Sequence, residues 1–282
     1  MATVITGNTQ LSASKNNLII GMVQRELKFA AKLLPFISDF SMFAQKGMKQ
    51  IQVPKMGSFT VQNRASGVDG DVSALTVTTD VLNLDQKNYI SWIVDSADEI
   101  ESSIAVQAEY IKRASAAHGR KIDELILAAA QAAATDFGAG VTYANMLAMN
   151  TFLKKNDALM DQVVIIASPD AEEDLMSLDE FKRADVYGAP VIPNGLEQVG
   201  KIFGRPVMIH NGLTGSKVLA FEKSGLGYAF QQQPNVARQP EVGYGTSAER
   251  VAIDLKMGVA ALQLGEKGLL ATESPLIAGI LS

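Results

Sequence analysis

Ile51-Gln52-Val53-Pro54-Lys55-Met56-Gly57-Ser58-Phe59-Thr60-Val61 places apolar side chains at 51, 53, 59 and 61 in a strand-like alternation. Leu75, Val77, Leu82, Leu84, Ile90, Trp92 and Val94 carry a similar period-two pattern beyond Gly67-Val68-Asp69-Gly70-Asp71. The Asp69-Gly70 pair suits the positive dihedral angles of a tight turn, so residues 51–94 are expected to form one long hairpin. Two arms of roughly 15 to 20 residues, at 3.3 Å per residue, reach roughly 50 Å. A compact chain of this length would have a radius of gyration of only about 19 Å. The hairpin therefore overhangs its own core. An isolated two-stranded ribbon is marginal in water, so its apolar positions need another surface, and a neighbouring copy is the nearest supply. Lys55, Phe59, Val61, Arg64, Asp69, Asp71, Leu75 and Val77 are the candidate subunit-interface residues. The alternative is a hairpin folded back into its own sheet, with Tyr89 and Trp92 as hinge packing rather than base-stacking groups.

Downstream, Ser96-Ala97-Asp98-Glu99 reads as a capping box, Ser96 accepting from the Glu99 amide while Glu99 reaches back. Ile100, Ile104, Ala108, Ile111, Ser115, His118, Ile122, Leu125 and Ala129 then recur every three or four residues. Glu109 stands four before Arg113, placed for a helix-surface ion pair. The spacing predicts a strut of about 35 residues and roughly 50 Å, weakened at Gly119 and ended by Gly138-Ala139-Gly140. Thr142 can cap a further helix through Leu153, and Val163–Ala167 reads as a buried strand. Ser168-Pro169-Asp170-Ala171-Glu172 supplies an N-cap, a first-turn proline and first-turn acids. Residues 206–210, 218–221 and 250–257 read as further strands, so the class is mixed α+β.

Upstream, Leu18, Met22, Leu27, Ala30, Leu33 and Leu34 fall near helical spacing, and Pro35 is expected to close that helix. Residues 1–50 carry Lys15, Arg25, Lys28, Lys32, Lys46 and Lys49 against only Glu26 and Asp39. The overall charge of -5 therefore arises beyond this arm. Such an arm, with Lys15, Arg25, Lys28 and Lys32 as its candidate basic contacts, can face nucleic acid or an acidic partner. Ordinary lysines on the wet face of a helix are the alternative.

With 47% hydrophobic and 20% charged residues, the chain can bury a real core. Its 282 residues suit one extended or two-lobed unit. Cysteine is absent, which removes disulfides, thiolate nucleophiles and cysteine-ligated metals. Met1-Ala2-Thr3-Val4 does not open a signal peptide, and no apolar run nears the roughly 20 residues that span a bilayer, so no membrane partner is expected. No complete G-x-x-x-x-G-K-[ST] phosphate loop is present, and Gly215-Ser216-Lys217 has the wrong order. The G-x-G steps at Gly138, Gly225 and Gly243 lack a third glycine. His118 and His210 are the only histidines, which argues against a multi-histidine metal site and suits structural roles. Asp69 and Asp71 lack the other oxygen ligands of an EF-hand spacing. Neither catalysis nor a cofactor is expected.

A basic arm, an overhanging hairpin, a strut helix, a strand-helix lobe and a returning strand follow one another in this order. The order resembles the Hong Kong 97-type capsid subunit of tailed bacteriophages, with its N-arm, E-loop, spine helix, peripheral domain and axial domain. Asp39-Phe40-Ser41 through Gly47, then Ile51–Gly57, resembles the arm leading into the E-loop. Gly204-Arg205-Pro206-Val207 resembles the family's step into an axial-domain strand, with Ala220-Phe221 and Phe230-Gln231-Gln232 resembling the segment that follows. Ala248-Glu249-Arg250-Val251 resembles the strand returning to the peripheral domain. The resemblance implies an N-arm at 1–50, an E-loop at 51–94, a spine helix at 95–140, an axial domain at 141–245 and a peripheral return at 246–282. It implies a non-enzymatic major capsid protein, made in the host cytoplasm and carried in the virion. Such subunits assemble as hexamers and pentamers of an icosahedral shell around double-stranded DNA. Scaffolding protein, portal and a decoration protein are the implied partners. An encapsulin-type nanocompartment shell resembles the same fold and is the near alternative; a soluble metabolic enzyme, suggested by residues 163–230, is the distant one.

Overall fold

The structure is a computed structural model, and its description covers residues 23, 26–27, 31–56, 63, 66, 77–94, 104–178, 197–241, 248–262 and 276–281. The strut is α1, Ile104–Ala133, 30 residues and about 45 Å long. The proposed capping box at 96–99 lies outside the described residues. From Ile111 onward the buried positions are 111, 114, 115, 118, 119, 122, 123, 126, 127 and 130. Leu125 and Ala129, expected on this stripe, are only half-buried, and Ile126, Leu127 and Ala130 replace them. The reason is geometric. A seven-residue repeat holds one face only in a supercoil, whereas a straight helix drifts by about 20° per heptad.

The strands are β1 (Ser38–Asp39), β2 (Gln50–Met56), β3 (Val77–Asn83), β4 (Gln86–Val94), β5 (Thr135–Asp136), β6 (Val163–Ala167), β7 (Glu197–Ile202), β8 (Arg205–Ile209), β9 (Val218–Glu222), β10 (Leu226–Pro240), β11 (Glu249–Ala261) and β12 (Ile277–Ile280). They form a four-stranded sheet, β1-β10-β11-β4, a six-stranded sheet, β5-β12-β9-β6-β8-β7, and a two-stranded ribbon, β2-β3.

The ribbon corrects one expectation. The pattern predicts one long hairpin over 51–94, but only β3 pairs with β2, from Gln50 opposite Asn83 to Met56 opposite Val77. The chain then breaks at Leu84-Asp85, and β4 runs antiparallel to β11, from Glu249 opposite Val94 to Met257 opposite Gln86. Leu82 and Leu84 are both buried with Ala229 and Leu262, which pins the break to the body. Strand alternation is the same on either side, so period alone could not reveal the change of partner.

In the six-stranded sheet β6 is buried at every residue, as befits a strand covered on both faces. It feeds α3 (Pro169–Ser177), and β8 then lies parallel to β6. Two of the expected caps, at Thr142 and Ser168, are present. Thr142 Oγ1 accepts from Asn145 N at 3.2 Å to open α2 (Tyr143–Lys155), and Ser168 Oγ accepts from Ala171 N at 3.0 Å ahead of Pro169. Between β7 and β8, Phe203 and Gly204 both take positive φ, 51° and 79°, in a two-residue hairpin turn.

Sheet membership cuts across the sequence segments. Residues 226–240 join the sheet of β4 and β11, while 277–280 join the sheet of β6. One apolar cluster ties the body together: Leu27 and Leu33 near the arm, Ile122 and Ile126 of α1, Met208 and Phe221 of the six-stranded sheet, and Leu255 of β11. Pro35 lies within a 3-10 turn, Leu34–Phe36, instead of just beyond an α-helix, and Leu34 is half-buried.

Candidate assembly surface

The ribbon has an inner and an outer face. Ile51, Val53 and Leu82 point inward and are buried against the body. Val77 and Val81, on the opposite face of β3, stand 54% and 41% exposed. Lys55, a candidate interface residue, is buried in its own ribbon, with Nζ 2.7 Å from Asp80 Oδ1. Its ammonium is thereby committed to a cross-strand pair at the root of the hairpin. Val77 is an open apolar side chain. Phe59, Val61, Arg64, Asp69, Asp71 and Leu75 lie outside the described residues.

Beside the ribbon is an open groove of about 760 Å³, whose described lining residues, Phe40, Met42, Phe43, Met48, Ile51, Pro54 and their neighbours, are uncharged. Met42 is 82% and Phe43 54% exposed. The wall is held by hydrogen bonds to β10, backbone and side-chain. Phe40 N donates to Tyr228 O at 2.8 Å, Phe230 N donates to Ser41 Oγ at 3.0 Å, and Gln231 Nε2 donates to Gln45 O and Met48 O at 2.8 and 2.7 Å. Burial, aided by the charge of Asp39 and a hydrogen bond to it, pushes the Tyr228 phenol up to about 12.

Sequence reasoning missed Asp123. It sits on the buried stripe of α1, where a charge stands out among apolar neighbours, and that was the available signal. Its Oδ1 accepts from Leu33 N at 3.1 Å, and its Oδ2 accepts from Lys32 N at 3.0 Å and lies 3.2 Å from His210 Nε2. Lys32, a candidate basic contact, is thus tied through its backbone to the body; Lys15, Arg25 and Lys28 lie outside the described residues. His118 lies on the buried face of α1 with Nε2 unpartnered. Burial lowers its pKa, against the opposing effects of the Ile253 backbone and Asp254.

No group of three His, Cys, Asp or Glu side chains that could hold a metal occurs among the described residues. Gly195 and Gly200-Lys201 do share the opening spacing of a phosphate loop. Ile202 stands where a hydroxyl is required, and Gly200 and Lys201 belong to β7, which turns into another strand and not a helix. Among the described residues, no helix is long and apolar enough to cross a membrane.

The fold matches capsid structures across most of its length. It superposes on a chain from Mycobacterium phage Che8 with a TM-score of 0.63 at 16% identity, covering 86% of this chain and 88% of that one. The asymmetric unit of the bacteriophage PhiM1 mature capsid gives 0.62 at 12% identity, covering 88% and 85%. The capsid of Ralstonia phage GP4 gives 0.62 at 10% identity, covering 88% and 87%. No curated protein matches the sequence. The α+β fold is therefore the Hong Kong 97-type capsid fold that the order of elements resembles. The family model for phage capsid protein matches residues 44–269, so this chain belongs to the phage capsid protein family and is a structural component of the virion shell.

Proposed function

We propose that copies of this chain form the hexamers and pentamers of an icosahedral head enclosing double-stranded DNA, each hairpin lying across the adjacent subunit. The outer face of the β2-β3 ribbon carries this reading, because Val77 and Val81 are left open on a strand rooted in the body. Burying apolar area contributes about 25 cal/mol per Å², and a contact repeated over a closed lattice multiplies that gain. In this reading α1 with the four-stranded sheet forms the peripheral domain, and the six-stranded sheet forms the axial domain. Lys15, Arg25, Lys28 and Lys32 belong to an arm that reaches a neighbour or the DNA-facing interior. Synthesis in the host cytoplasm, a transient scaffolding protein, a portal and a decoration protein complete the proposed assembly.

The test is electron microscopy of the purified protein and of a variant lacking residues 62–75. The full chain is expected to form closed particles, and the deletion a folded subunit that forms none. Normal particles from the deletion would overturn the role of the hairpin. Packaged genomic DNA in particles from infected cells separates this reading from a nanocompartment shell with enzyme cargo.

A further inference from the structure

Asp123 joins three stretches that are far apart in sequence. Lys32 and Leu33 belong to the N-terminal segment, whose Val23 and Leu27 also pack on the body, Asp123 lies on α1, and His210 directly follows β8. The amides of Lys32 and Leu33 face a carboxylate instead of helical carbonyls. Their alternative partner would be water, and Leu33 is fully buried. Charge-assisted bonds of this kind are the stronger ones.

The third donor is set by local geometry. Gly212 N donates to His210 Nδ1 at 2.9 Å. A backbone N–H can only donate, so Nδ1 is an acceptor and the ring proton sits on Nε2, which donates to Asp123. A Cβ on Gly212 would stand 2.9 Å from that same Nδ1, so the close approach requires glycine. Three donors therefore converge on one buried carboxylate that is 2% exposed. A side-chain amide cannot replace it, because one of its two ends would place N–H groups against another donor.

We propose that Asp123 is the positioning residue for the N-terminal arm, fixing through Lys32 and Leu33 the direction in which the chain runs past α1. The six-stranded sheet has a say in that direction, because His210 orients the same carboxylate. Arm, strut and sheet are thereby coupled through one carboxylate, beside the apolar packing of Leu27, Leu33 and Ile37. The consequence for assembly rests on the shell reading above; the consequence for the arm does not.

The test measures hydrogen exchange at the Lys32 and Leu33 amides of the unassembled full-length subunit, together with particle shape by electron microscopy. Gln at 210 keeps an amide donor near the Nε2 position, whereas Asn keeps only the acceptor near Nδ1. Asp123→Asn and His210→Asn are expected to exchange these two amides at least tenfold faster than wild type and to give irregular or open particles. His210→Gln should stay within about threefold of wild type and close normally. Wild-type exchange at both amides in Asp123→Asn would overturn the proposal. If Asp123→Asn does not fold, equal exchange in His210→Asn and His210→Gln would overturn it instead. Failure of the wild type to form particles would sink the shell reading, while the exchange comparison would still decide the role of Asp123.

Discussion

The carbonyl of Asn83 lies across Gly258 so closely that a Cβ on the glycine would stand 1.9 Å from the carbonyl oxygen. Asn83 is the last residue of β3, and Gly258 lies within β11. The hairpin therefore leaves the body at an angle set by the missing side chain, and the contact is backbone, which cannot swing aside.

Gly258→Ala is accordingly expected to cost about 1–3 kcal/mol, the usual range for overpacking, and to tilt the ribbon away from β11. Thermal unfolding checks the first effect. A cross-strand probe distance between the ribbon and β11 checks the second, and an unchanged distance would contradict this account of the angle.

Lys55 and Asp80 pair in a largely buried setting at the hairpin root. Removing one partner leaves the other's largely buried charge less compensated, so Lys55→Met should destabilise the chain by about 3 kcal/mol. Replacing both residues, as Lys55→Met with Asp80→Leu, should recover most of that loss, because the pair's main cost is desolvation. Denaturant unfolding of the two variants gives the comparison, and a double variant weaker than the single one would count against the argument.

His118 is held neutral by burial, so its folded pKa lies below the ordinary value of 6.5. Below that value the unfolded chain binds a proton that the folded chain refuses, and stability falls. The slope for one proton is at most about 1.4 kcal/mol per pH unit, the decline stops once the lowered folded value is passed, and above 6.5 the effect vanishes. Melting temperature measured from pH 7.5 downward should drop in wild type. In His118→Phe that part of the decline should be absent, and an identical decline in both would rule His118 out as its source.

Tyr228 behaves oppositely. With its phenol pushed from 10.0 up to about 12, the folded chain keeps a proton that the unfolded chain releases. Its contribution is complete below pH 10 and is lost as pH rises from 10 towards 12. Ultraviolet titration of phenolate should show a late-ionising component that is lost in Tyr228→Phe, and an unchanged late component in that variant would refute this.

Much of the chain was readable from local chemistry. Thr142 and Ser168 announce their helices because a cap needs only a hydroxyl and the next three residues. Val163–Ala167 declares itself as a fully covered strand by composition alone. The strut was legible by its period, although the drift that carries its face from Leu125 to Ile126 depends on what it packs against.

Sequence by itself determined the class, the long helix, the strand that becomes the root of a hairpin, and the absence of a complete catalytic or phosphate-binding motif. Those properties depend on spacing within a few residues, where a turn, a pleat or a cap has its own period. Tertiary structure alone decided that β3 and β4 part company at Leu84, that Gly258 sets the hairpin's angle, and that Asp123 collects the amides of Lys32 and Leu33 with the ring of His210. The β4–β11 pairing, the Asn83–Gly258 contact and the Asp123 bonds each join residues about 90 or more positions apart, and the partner across such a gap is chosen by packing, which no local period encodes.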